Sequence, residues 1–248
     1  MDLEANKSDF ILRANNASVD CQVKIENLEL RVLNYTLNET LYNRIQDKLN
    51  KESLRYYWQQ PSIDIYTISK GTNKHIIENV GVGKIPTSIF FLVQETHRFQ
   101  GNLTSNSLRF PRVYEDTDQT GACGLDSICL TVANQDVDGL FVPESDPQYS
   151  LNYLKYFIMN DMVENGTTLP ADISPENFIN DFHFYHFNLT TSMSNNPSWT
   201  KSPVKGGYLR AILNFSDETP CSLTVIAVVI HDMSLQLCQG GKCILEST

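Results

Sequence analysis

Short strand-like runs, each followed by residues that favour turns, dominate this 248-residue sequence. The runs are rich in apolar residues, and clusters of Asn, Gly, Pro and Ser separate them. We predict strands at 10–13, 21–33, 56–69, 75–80, 88–93, 127–132, 182–189, 208–215 and 222–231. About eight strands in a chain of this length favour an all-β fold, namely a jelly-roll β-sandwich.

One strand-like run, Leu223 to Ile230, is apolar on both of its faces. Successive side chains of a strand point to opposite faces of the sheet, so both faces of this strand must be covered. A helix or loop of the same domain would cover the second face in one interpretation, and a neighbouring jelly roll or subunit would cover it in the other. The side chains of this second face are the candidate interface residues: Ile226, Val228 and Ile230.

Three short helices are expected in the loops between strands. Leu41, Ile45 and Leu49 form one stripe of the segment 38–51, and Asn38 is a suitable N-cap. A second helix is predicted within 150–163. The sequence Ser174-Pro175 has the N-cap and first-turn proline of a third.

Composition favours one globular domain over residues 1–248, with 1–8 and 234–248 as flexible or peripheral termini. The 41% hydrophobic content is enough for a substantial core. The formal charge of -10, without a run of like charges, argues against direct nucleic-acid binding. We find no apolar stretch long enough for a membrane span and no signal-peptide pattern, so we expect an intracellular protein that is not secreted.

Cysteines and glycosylation sequons leave a second interpretation open. The six cysteines are expected to be free thiols in an intracellular protein, although Cys238 and Cys243 flank a turn that a disulfide would fit if the compartment oxidises. Eight N-x-Ser/Thr sequons would indicate glycosylation in a secreted protein. They begin at Asn6, Asn16, Asn34, Asn38, Asn102, Asn165, Asn188 and Asn214. Two of them, Asn188 and Asn214, lie in predicted strands, where a glycan fits badly.

Patterns that would indicate catalysis or a cofactor are missing from the sequence. Gly81 to Lys84 lacks the spacing of a phosphate-binding loop. His183 and His186 are three residues apart in a predicted strand, so their side chains point to opposite faces and do not share a metal ion. No Ser nucleophile elbow is present, and no cysteine context indicates an activated thiolate. We therefore predict no enzyme, no cofactor and no metal.

Several segments of the chain follow one another in a distinctive order: 30–32, 41–49, 63–69, 78–86, 99–101, 173–178, 187–190, Trp199, 207–210 and 223–230. In this order they resemble the C-terminal jelly roll of the double-jelly-roll major capsid proteins of Polinton/Maverick elements and adintoviruses. The resemblance runs from about residue 9 to 233, and Asn188 replaces an Asp of the family pattern.

The resemblance implies a viral structural protein, a capsid shell component without catalytic activity. Its segments Ile25–Leu33 and Glu78–Pro86 would be two strands of the second roll. Copies of itself, other capsid proteins and a first jelly roll on another chain would be its partners, and the virion capsid its location. The alternative is a secreted or surface β-sandwich, glycosylated, that binds a ligand or receptor.

Overall fold

Ten strands and three helices are found in the described part of the computed structural model. That part comprises residues 23–81, 85–101, 109–115, 121–132, 135–141, 174–189, 207–238 and 243–247, together with Leu12 and Tyr153. The helices are α1 (Glu39–Lys51), α2 (Thr96–Phe99) and α3 (Pro175–Asp181). The strands are β1 (Leu54–Ile68), β2 (Lys74–Glu78), β3 (Ser88–Glu95), β4 (Val113–Glu115), β5 (Ala122–Val132), β6 (Gln135–Phe141), β7 (Phe184–Asn188), β8 (Leu209–Phe215), β9 (Leu223–Leu237) and β10 (Cys243–Ser247).

The strands pair in a nested order. β1 pairs with β9, β2 with β8, β3 with β7 and β5 with β6, all antiparallel, as in one long hairpin. Alternate pairs enter different sheets, so the first sheet has the order β1-β9-β3-β7 and the second contains β2-β8-β5-β6. This rolled hairpin is the jelly roll. The predicted fold class is therefore confirmed.

The core contains inward-facing side chains from both sheets. In β8, Leu209, Ala211, Leu213 and Phe215 are buried and alternate with partly exposed residues, as predicted. In β5, the alternation slips between Leu125 and Ile128. The register with β8 shifts between Leu125 and Ser127, so a β-bulge rotates the later residues by one position and keeps Ile128 inward.

Two predicted helix starts are confirmed by their caps. The backbone N–H of Leu41 donates to Asn38 Oδ1 at 2.8 Å, and the N–H of Asn177 donates to Ser174 Oγ at 3.1 Å. Each bond satisfies a donor that has no partner within its helix. The predicted helix within 150–163 lies outside the described residues, apart from Tyr153.

The predicted strand 21–33 is wrong over 23–33, the part that the structure describes. Residues 23–33 belong to no strand, and all of them are exposed. Alternating apolar residues form a strand only when a neighbouring strand supplies hydrogen bonds and another part of the protein buries the apolar side. No described strand pairs with this segment. The capsid-like interpretation of Ile25–Leu33 as a strand of the roll is corrected accordingly. Apart from Leu12, the predicted strand 10–13 lies outside the described residues.

The segment Glu78–Pro86 is mainly a turn in the described residues, and not a strand. β2 ends at Glu78, and both Asn79 (φ 58°) and Gly81 (φ 68°) have positive φ, a conformation outside the strand region. A Cβ on Gly81 would lie 3.0 Å from Val229 Cγ1, so the position favours glycine for space as well. The predicted glycine turn at a strand end is confirmed for Gly81.

The C-terminal residues contribute to the first sheet. Residues 234–237 are the end of β9. One side of β9 pairs with β3 over 223–230 and with β10 over 233–237. The segment 234–248, predicted to be flexible or peripheral, therefore includes strand residues at the margin of this sheet.

Candidate interaction surface

The three predicted interface residues lie on the outer face of the first sheet. Directly opposite residues of an antiparallel pair point to the same face. Val228 lies between Ile63 of β1 and Phe90 of β3, and Ile226 lies between Ile65 and Leu92. We call this set the outer apolar face: Ile63, Ile65, Phe90, Leu92, Ile226, Val228 and Ile230.

Sequence reasoning missed the members of this face on β1 and β3. The alternation Ile63-Asp64-Ile65 is a local signal for one apolar side. Its position beside β9, however, depends on pairing between residues more than 150 positions apart in the chain. Nothing local in either strand specifies that partnership.

Exposure on this face decreases from β1 towards β7. Ile63 and Ile65 are 63% and 52% exposed, Val228 and Phe90 are partly exposed, and His186 of β7 is 3% exposed. Ile63 and Ile65 adjoin Val228 and Ile226, so the β1 side presents a contiguous apolar surface to solvent. An exposed apolar patch of this kind commonly marks an interaction site.

Aromatic side chains close the β7 side. The ring of Phe90 stacks on His186 with centroids 4.0 Å apart, and Phe178 of α3 packs edge-on against Phe184 at 5.1 Å. Phe178 itself is fully buried. A helix of the same domain thus covers the β7 side of this face, while Ile226, Val228 and Ile230 of β9 are partly exposed.

His183 is buried in an apolar setting beside this aromatic cluster. Its ring lies 5.1 Å from Phe178 and 4.9 Å from Tyr185, and neither ring nitrogen has a hydrogen-bond partner among the described residues. Burial, with a smaller contribution from the positive charge of Arg112, lowers the pKa of His183 to about 3. The side chain is therefore neutral at physiological pH.

The two histidines contact different neighbours. His186 stacks on Phe90, and His183 lies against Tyr185. Within the described residues, no group of three or more His, Cys, Asp or Glu side chains is arranged to hold a metal. Residues 82–84 of the glycine segment lie outside the described part.

A polar cluster joins β3, α2 and α3 around a cavity of about 150 Å³. Arg98 Nε lies 2.7 Å from the buried carboxylate of Glu95, and Arg109 Nε donates to Asp181 Oδ1 at 2.8 Å. Arg109 also donates to the backbone oxygen of Asn180. Paired charges of this kind fix the loop before β4 against α3, a structural role.

The sequons in strands are poor glycosylation sites. Asn188 of β7 is 9% exposed, and Asn214 of β8 donates from Nδ2 to Ser127 Oγ at 3.0 Å. Asn34 and Asn38, by contrast, are exposed. The predicted strand positions of Asn188 and Asn214 are confirmed.

No helix in the described residues is both long and apolar enough to cross a membrane. Neither a scan against protein-family models nor a search of curated proteins gave a match.

Solved structures of viral and virophage proteins are similar to this chain. They include the mavirus major capsid protein (TM-score 0.39, 12% identity, 79% of this chain and 42% of that chain). A PBCV-1 protein fitted into a cryo-EM reconstruction of the virophage Sputnik has TM-score 0.46 and 10% identity, over 86% of this chain and 55% of that chain. A cryo-EM structure of the Sputnik virophage has TM-score 0.38 and 11% identity, over 79% and 39%. This chain spans 39% to 55% of the length of these proteins.

Proposed function

We propose that this protein is a structural component of a viral capsid shell and has no catalytic activity. The observation that carries the proposal is the outer apolar face, which a jelly roll leaves exposed along β1. The order of sequence motifs shared with the second roll of Polinton and adintovirus major capsid proteins supports the same function. Copies of itself, other capsid proteins and a first jelly roll on another chain are the proposed partners.

The chemistry of the outer apolar face fits a subunit interface. The centres of stable interfaces are depleted in charge and enriched in apolar and aromatic side chains, with polar residues at the rim. Ile63, Ile65 and Val228 supply the apolar centre. The exposed Gln59 lies beyond Ile230 and is hydrogen-bonded at 3.4 Å to the buried Asp232. Burial of each such aliphatic side chain contributes about 1.5–3 kcal/mol.

Location follows from this proposal. The protein would assemble inside the host cell and remain in the virion capsid, without secretion. Ile226, Val228 and Ile230 would be buried between subunits.

Replacing Val228 with Asp tests the proposed interface. We expect Val228→Asp to abolish self-assembly, because an unpaired carboxylate would be buried at the centre of the contact. Sedimentation at several protein concentrations measures assembly, and urea unfolding of the monomer measures folding. A second variant, Ile63→Asp, tests the same face at a side chain that is 63% exposed. Asp is compatible with folding at such a position, so this variant remains informative if Val228→Asp does not fold.

Ile76→Asp is the matched control. Ile76 is 44% exposed on β2 of the other sheet, so the same charge is added to a comparable apolar strand residue away from the outer apolar face. It should assemble like the unchanged protein. Normal assembly of both Val228→Asp and Ile63→Asp, or loss of assembly in all three variants, would contradict the proposed interface.

A further inference from the structure

The segment before β1 is mostly exposed in its described residues. We call residues 23–51, which end with α1, the N-terminal arm. Within this arm only Ile45 and Leu49 are partly buried, the other residues are exposed, and α1 has no buried residue. Leu28, Leu30 and Val32 are 67%, 75% and 74% exposed. The arm therefore packs little on its own domain.

The exposed apolar residues of the arm have the spacing of a strand. Leu28, Leu30 and Val32 alternate with Glu29 and Arg31, so an extended chain places the aliphatic side chains on one side and the charges on the other. Such a segment is stable in water only when it pairs with another strand, because its backbone groups and its apolar side both need partners. Its sequence is suited to adding to the edge of a sheet.

β1 offers an edge of this kind. It pairs with β9 over all 15 of its residues, and no described strand pairs with its other side. The backbone oxygen of Ile230 accepts from the N–H of Thr87, so the polar backbone groups of Ile230 point towards β3. Pro61, opposite Ile230 across the pair, therefore points its backbone groups away from β9.

By the same alternation, the N–H groups of Ile63 and Ile65 point outward along the unpaired edge. Pro61 has no N–H and interrupts this row of donors, which is where proline is tolerated in a sheet. The edge from Ile63 onward is thus able to accept a strand, and its side chains belong to the outer apolar face.

We propose that the arm of one copy adds as a strand to the β1 edge of a neighbouring copy. This inference rests on the proposed function, since it specifies how the shell subunits hold one another. The apolar part of the arm, residues 28–32, spans roughly 17 Å when extended, and the edge from Ile63 to Ile68 spans roughly 20 Å, so this edge is long enough for it.

The side chains of the two segments are complementary. When Leu28, Leu30 and Val32 lie on the same side as Ile63 and Ile65, they extend the outer apolar face by one strand. The charges of the arm then lie on the side of Asp64. Arg31, whose contact with Glu29 is exposed and therefore weak, would pair with the Asp64 carboxylate.

A second copy is the partner that this geometry favours. In its own chain the arm remains exposed, while residues 34–38 and the 13-residue α1 separate its apolar segment from β1. That helix is about 20 Å long. Exchange of arms between copies is a common route from monomer to assembly.

Leu30→Asp, with Asn27→Asp as its matched control, tests the arm. Both substitutions add one negative charge at an exposed position, but only Leu30 belongs to the apolar side. We expect Leu30→Asp to weaken self-association at least about tenfold and Asn27→Asp to change it less than about threefold. Thermal unfolding of the monomer should be the same in all three proteins.

Mixing two defective variants tests the direction of the contact. Ile63→Pro removes an outward N–H of the edge, and Leu30→Asp impairs the arm. Each alone should self-associate at least about tenfold more weakly than the unchanged protein, but an equimolar mixture should form one-to-one pairs, because the intact arm of the first meets the intact edge of the second. Thermal unfolding of Ile63→Pro shows that it is folded, and Ile65→Pro replaces it if it is not.

The outcomes separate the two proposals. If Leu30→Asp assembles like the unchanged protein, or the mixture forms no pairs, arm exchange is wrong while the shell function stands. Amide protection of residues 28–32 that is independent of concentration would also overturn it, because the arm would then pair within its own chain. If the unchanged protein stays monomeric at all concentrations, alone and with a co-expressed first roll, the shell function is wrong as well.

Discussion

At the scale of single residues, burial determines the charge of His183. Its imidazole lies among Phe178 and Tyr185, where an imidazolium would lack both water and a described hydrogen-bond partner. Its folded pKa of about 3 is therefore far below the ordinary value of 6.5. The folded protein favours the neutral ring, and the unfolded chain binds a proton more readily.

We expect acid to destabilise the fold through His183. The contribution of the neutral ring is fully present above pH 6.5 and is lost as pH falls from 6.5 towards about 3, because only the unfolded state gains a proton in that range. Between pH 7.5 and 5.5 the loss should be on the order of 1 kcal/mol. Urea unfolding at the two pH values measures it. His183→Phe should remove this part of the pH dependence, and equal slopes in both proteins would contradict the argument.

At the scale of elements, β9 is the strand on which the fold and the proposed interface both depend. Val225, Ala227 and Val229 are fully buried towards the core, while the residues between them reach the outer apolar face. β1 and β3 flank β9 on its two sides. One strand thus contributes to the core by one face and to a surface by the other.

Enlarging a residue should lower the free energy of unfolding much more on the core face of β9 than on its outer face. Ala227→Leu adds volume to a closely packed core and should lower the free energy of unfolding by about 1–3 kcal/mol. Val228→Leu adds similar bulk at a partly exposed position and should change it by less than about 0.5 kcal/mol. Urea unfolding of the monomers gives both values. Equal losses would mean that the outer apolar face is packed within the monomer.

α1 differs from β9 because its apolar stripe is not buried. α1 has a good N-cap in Asn38 and a continuous stripe of Leu41, Ile45 and Leu49, yet none of its residues is buried. Most helical stability in proteins comes from packing of the apolar face, so this helix depends on a surface that the described part of its domain does not supply.

At the scale of the whole molecule, the chain divides into a rolled sandwich and an arm. The nested pairs β1 with β9 and β3 with β7 hold distant parts of the chain together, so the sandwich should unfold cooperatively. The arm shares few contacts with it and should open independently.

Limited trypsin digestion should reveal this division. Arg31 and Arg210 each contact one glutamate, Glu29 and Glu78, but Arg31 lies in the exposed arm and Arg210 in β8. We expect cleavage after Arg31 to be at least tenfold faster than after Arg210 in dilute protein, because cleavage within a strand requires unfolding. Peptide mass mapping over time measures the two rates. Similar rates would show that arm and sandwich open together.

Local signals determined much of this structure. The alternation in 209–215, the caps Asn38 and Ser174 and the glycine turn at Gly81 all depend on neighbouring residues, and all agree with the sequence-based predictions. The two apolar faces of 223–230 also follow from the sequence, because side-chain direction in a strand has a fixed period of two.

Tertiary structure decided the rest, since strand pairing joins residues far apart in the chain. Residues 23–33 have the alternation of a strand, yet no described strand pairs with them. Ile63 and Ile65 have the same alternation, and they join the outer apolar face because β1 pairs with β9. The bulge in β5 and the added strands β4, β6 and β10 likewise depend on partner strands. The sequence by itself determined which segments alternate and where they turn. Only the tertiary structure decided which of them pair and which apolar face stays exposed to solvent, because the strands that supply hydrogen bonds and bury side chains are distant in the sequence.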